Sequence, residues 1–163
     1  MTYGYDSAWL FSKSESSVND FALDLLSRLH FERTSQFESE RPILFICHSL
    51  GAVVFNQALI TASSQPDHYG DILKSIRGVV FMGTPHRGSR TAGPVQLLSK
   101  IVNAAAFGTA IRSDLIGVLK VSSRTLEDIS LLSIPLLKEL RIVSFYEKKP
   151  LGISLVMHGV LIA

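Results

Sequence analysis

Hydrophobic positions change period several times along this chain, and each change marks an element. Met1 to Tyr5 is a short strand-like start, after which Gly4 with Asp6-Ser7 turns the chain. Val18, Phe21, Ala22, Leu25, Leu26 and Leu29 recur at the i, i+3, i+4 period, which predicts a helix capped by Ser16 or Ser17 and packed by one face on a sheet. The polar run Glu32 to Arg41 predicts a loop. Ile43 to Ile46, started by Pro42, then predicts a strand covered on both faces. Val53, Val54, Gln57, Ala58 and Ile60 return to helical spacing, and a second loop is expected through Ser63, Pro66 and Gly70. Arg77 to Gly83 reads as the next buried strand, so strand, helix and strand with a long crossover imply parallel pairing. Val95 to Phe107 and Ile111 to Leu140 are largely helical in pattern, ahead of a third core strand over Arg141 to Tyr146. The fold class is therefore α/β, without internal repeats.

Candidate chemistry sits where the first core strand breaks into its helix, at Cys47-His48-Ser49-Leu50-Gly51. A serine at so sharp a turn is exposed above the sheet, and the N–H groups of the helix start face any charge developing beside it. The turn needs small residues two before and two after the serine, here Cys47 and Gly51. The usual pattern is G-x-S-x-G, so the first position departs, though cysteine is small and apolar enough for the turn. Small residues also shape strand-to-helix turns in non-catalytic α/β proteins, so this motif alone leaves both readings open.

Composition removes several classes. The 163 residues are 47% hydrophobic and 18% charged, which fits one soluble globular domain with a sizeable core. A formal charge of +2, from scattered basic residues, leaves no nucleic-acid footprint. The single cysteine rules out an internal disulfide and fits a reducing compartment. No secretory h-region follows Met1 and no stretch approaches the ~20 apolar residues of a membrane span. An intracellular, cytoplasmic protein is expected, with no metal and no cofactor.

Two further features fall at the carboxyl ends of the predicted strands, the edge at which open α/β sheets bind ligands. The loop Gly83 to Ser89 offers Thr84, His86 and Arg87 as substrate-facing residues, although polar residues of a Pro- and Gly-shaped loop are commonly just solvated. Glu147 follows the third strand. It is either a solvated residue of a charged turn or the acid in the Ser, Asp or Glu, His order of α/β-hydrolases. Of the histidines, His30 and His68 read as surface residues and His48 as a support for the turn. His86 is a remote substitute base, and His158 is the only histidine beyond Glu147.

Gly4-Tyr5-Asp6-Ser7, Arg41 to Val54, and Gly78 to Ser89 together resemble the serine esterase, lipase-like domain of the α/β-hydrolase superfamily. That is the domain of serine-active-site-containing and GPI-inositol-deacylase-like proteins, and of the hydrolase-like N-terminal domains of fungal NOD-like proteins. The resemblance implies a mostly parallel sheet flanked by helices and hydrolysis of carboxylic esters, with an ester or lipid-like small molecule as substrate. It makes Ser49 the nucleophile, the Leu50 N–H an oxyanion donor and Glu147 the acid, and leaves His158, the only histidine beyond Glu147, as the candidate for the base. It also brings membrane association, at mitochondria or the endoplasmic reticulum, within the expected range.

Measured against that family, the chain reads as a domain truncated at both ends. It starts after the family's first oxyanion loop, and His158 stands 11 positions after Glu147, too few for the family's intervening helix and strand. The expected organisation is a partial hydrolase domain over 1–150, with a possible helical cap within 91–140, and an atypical apolar tail over 151–163. Two functional readings follow: an ester hydrolase acting through Ser49, or a catalytically inactive hydrolase-like binding or signalling module or gene fragment.

Overall fold

A computed structural model of the chain describes residues 1–5, 16–83, 114–145 and 160–162. In chain order the described elements are β1 (Thr2–Tyr3), α1 (Ser16–Phe31), α2 (Gln36–Glu40), β2 (Ile43–His48), α3 (Gly51–Ser64), α4 (Pro66–Ser75), β3 (Ile76–Met82), α5 (Asp114–Leu137), β4 (Arg141–Phe145) and β5 (Val160–Ile162). The fold is α/β, with a parallel β2-β3-β4 sheet flanked by helices.

Among the described residues the strand order is β1-β5-β2-β3-β4. β2 pairs with β3 in parallel from Leu44 opposite Gly78 to His48 opposite Met82, and β3 pairs with β4 from Gly78 opposite Arg141 to Met82 opposite Phe145. β5 is antiparallel to both its neighbours, β1 and β2. Gly78, at the amino-terminal end of the β3–β4 ladder, stands where β3 and β4 come too close for a side chain. A Cβ at that position would stand 2.7 Å from the Arg141 carbonyl oxygen.

Two stretches expected as loops are helical. Within Glu32 to Arg41, α2 starts at a capping box in which the Ser35 side chain accepts from the Glu38 N–H and the Glu38 carboxylate accepts from the Ser35 N–H. Beyond α3, Pro66 does not begin a loop but occupies the first turn of α4, where its missing N–H costs nothing. Pro135 acts the opposite way inside α5, removing an amide donor two residues before the helix ends.

Among the described residues the core lies on one face of the sheet. Phe45 and Cys47 of β2 and Val79 and Phe81 of β3 point to it, with Phe55 of α3 wedged 4.7 Å from the Phe45 ring and 6.1 Å from that of Phe81. Leu25, Leu26 and Leu29 of α1 and Ile72 of α4 close the same cluster, and Leu136 and Leu137 of α5 pack against it. A second, smaller cluster joins Val18 of α1, Leu50 and Val53 at the start of α3, and Leu126 and Ile129 of α5. The expectation that β2 is covered on both faces is corrected: its residues alternate between buried and partly exposed. Leu44, Ile46 and His48 share the opposite face with Val80, Met82, Val143 and Phe145, and there Met82 is 42% and Phe145 59% exposed. Val95 to Phe107 and Tyr146 lie outside the described residues. No helix among the described residues is long and apolar enough to cross a membrane.

Candidate functional site

The turn from β2 into α3 places Ser49 in a conformation L-residues avoid. Its φ is +49°, and among the described residues it is the only non-glycine residue with positive φ. Left-handed backbone costs a non-glycine residue about 1–2 kcal/mol, so surrounding contacts must hold it. One is the Ser49 N–H, which donates to the Met82 carbonyl at 3.0 Å and ties the turn to the end of β3. The helix then starts at once: Ala52 N–H donates to the Ser49 carbonyl, and Val53 and Val54 N–H to that of Leu50. The Leu50 side chain is buried in the second core cluster, which anchors this first turn. Its own N–H, at the positive end of α3, has no acceptor among the described residues.

The residues beneath the serine are apolar and uncharged. Cys47 is fully buried, and that burial pushes its thiol pKa far up, so it stays protonated and inert beside the serine. Tyr5 packs against both core clusters with its ring 5.0 Å from Phe21, and its buried hydroxyl has no hydrogen-bond partner among the described residues. Burial, reinforced by Cys47 and Tyr3, raises its pKa so that the hydroxyl stays neutral. In the sequence Tyr5 stands out only as the end of a strand-like start and as part of a family resemblance. The available signal was the alternation of Tyr3 and Tyr5 along one strand direction, which turns both rings toward the core.

The three parallel strands end together beside this turn. Gly83, at φ +62°, leaves β3 and donates its N–H to the Phe145 carbonyl at 3.0 Å. The His48 ring lies against Gly83, its Nε2 3.7 Å from where a Cβ would be. The carboxyl ends of β2, β3 and β4 thus form a single edge carrying His48, Ser49, Met82, Gly83 and Phe145. On the far side of β2, β5 enters with Val160 opposite Cys47, Leu161 opposite Ile46 and Ile162 opposite Phe45. Thr84, His86, Arg87, Glu147 and His158 lie outside the described residues. His30 and His68 are exposed, away from the turn. No cluster of His, Cys, Asp and Glu among the described residues could hold a metal ion.

Fold and turn together define a class: a parallel α/β protein with a strained serine between a central strand and the helix that follows it. In sequence the chain is similar to protein SERAC1 of Homo sapiens, 36% identical over 53 residues, and to protein SERAC1 of Danio rerio, 32% identical over 50 residues. The first match covers 32% of this chain and 8% of the human protein, the second 31% and 7%, so the chain spans only a small part of these relatives. No protein-family model matches the chain, and no solved structure does.

Proposed function

We propose that the chain is a serine hydrolase-like domain of the carboxylic ester class, with Ser49 as nucleophile. The observation that carries this reading is the left-handed Ser49 at the start of α3, because strain of that kind persists where a side chain must be presented in one direction. Ser49 Oγ attacks the ester carbonyl, and the negative charge that develops on its oxygen meets the Leu50 N–H at the helix N-terminus. His158 takes the serine proton, Glu147 stabilises the imidazolium, and the leaving alcohol carries the proton away before water releases the acid.

Chain connectivity supports both partners. Two residues of backbone reach at most about 7 Å. Glu147 is two residues beyond Phe145, whose carbonyl lies at the shared edge, and His158 is two residues ahead of Val160, which is paired with Cys47. Thr84, His86 and Arg87, directly after Gly83, serve as the substrate-facing loop. The exposed Met82 and Phe145 on this edge suit an apolar acyl chain, hence a lipid-like ester.

One observation favours an inactive binding module instead. β5, the neighbour of β2 beside the elbow, runs antiparallel to it, so the carboxyl end of that neighbouring strand lies at the opposite edge of the sheet from Ser49. A fluorophosphonate probe decides between the readings. Folded wild-type protein is expected to be labelled and Ser49→Ala is not, with hydrolysis of a short p-nitrophenyl ester lost in parallel. Folded protein that takes up no probe overturns the enzyme reading.

A further inference from the structure

β5 differs in kind from the strands around it. β2, β3 and β4 are joined by parallel ladders five to six residues long, whereas β5 is three residues wedged antiparallel between β1 and β2. It nevertheless supports two things. It pairs Phe45 to Cys47, the stretch of β2 that leads into Ser49, and it is the one strand among the described residues to which β1 pairs. Tyr5, two residues beyond β1, packs against the cluster that holds Leu50.

We propose that β5 is an insertable strap that gates Ser49, an inference that rests on reading Ser49 as the nucleophile. The Ser49 turn is clamped from two sides: by its N–H on the Met82 carbonyl toward β3, and by the ladder at Cys47 toward β5. A disfavoured left-handed residue keeps its conformation only while such neighbours over-determine it. A three-residue strand opens more readily than the long ladders beside it. When β5 withdraws, the Cys47 edge is unpaired and β1 is released with it. The support for Tyr5 beneath Leu50 then loosens, the turn relaxes, and the serine loses reactivity. Re-insertion restores the ladder at Cys47 and with it the turn.

The test uses the full chain in two variants. Leu161→Pro removes an amide donor from the centre of the strand. Thr2→Cys with Leu161→Cys joins two register partners, whose Cα separation in an antiparallel pair suits a disulfide; Cys47, buried and protonated, stays out of the exchange. Ser49 labelling by the fluorophosphonate and amide exchange over Phe45–Cys47 are followed together. Leu161→Pro is expected to label at least about ten-fold more slowly than wild type, and oxidising the cysteine pair to slow the exchange at least about ten-fold. A folded Leu161→Pro protein that labels at the wild-type rate overturns the strap. So does exchange unchanged by oxidation, since the strand then never leaves. If Leu161→Pro fails to fold, the oxidised and reduced pair decides alone. If even wild type takes no label, the nucleophile reading has failed, and the exchange comparison still accepts or rejects strand withdrawal.

Discussion

Ser49 carries a stability cost that its neighbours do not. A glycine at φ +49° avoids the clash between Cβ and backbone, while alanine keeps it and gives up only the hydroxyl. Ser49→Gly is therefore expected to be more stable than Ser49→Ala by about 1 kcal/mol, although both lose the nucleophile. Thermal melts of the two variants check this, and equal melting temperatures would mean that the turn is not strained. Cys47 and Ser49 were both legible as a turn motif, because small residues around a serine between an apolar run and a helical pattern leave few other geometries. The Ser49 anchor was not legible, since its acceptor, the Met82 carbonyl, is a backbone group that any sequence supplies.

Among the elements, β3 shows how closely the ladders are drawn together. Gly78→Ala would put a methyl group 2.7 Å from the Arg141 carbonyl, a backbone atom that cannot swing aside, and 3.2 Å from the Leu44 side chain. A loss of about 1–3 kcal/mol is expected in urea unfolding, because β3 and β4 must separate to make room. The strands were readable from their apolar runs, and α1 and α3 from their helical period. α2 and α4 are hard to tell from loops by period alone, because their polar composition resembles one. Their signals were present in the Ser35-to-Glu38 capping spacing and in Pro66 followed by Asp67. β5 was recognisable only as part of an apolar tail, because nothing in a three-residue apolar stretch names the strands it will join.

For the whole molecule, the uneven covering of the sheet matters most. Among the described residues, α1, α3, α4 and α5 all contribute to the core clusters, while Leu44, Met82, Val143 and Phe145 on the opposite sheet face are exposed, and β4 is the outermost strand. An exposed apolar edge strand is a template for pairing with another chain. Val143→Lys is therefore expected to reduce concentration-dependent self-association in sedimentation velocity, with little effect on the melting temperature; unchanged association would rule out this edge as the contact. By itself the sequence determined the α/β class, the parallel core strands and the turn at Ser49, because these follow from local period and from the few residues a tight turn accepts. Only the tertiary structure decided the left-handed state of Ser49, the one-sided core and the insertion of β5 between β1 and β2. Each of those depends on hydrogen bonds and packing between residues far apart in the chain, where local preference carries no information.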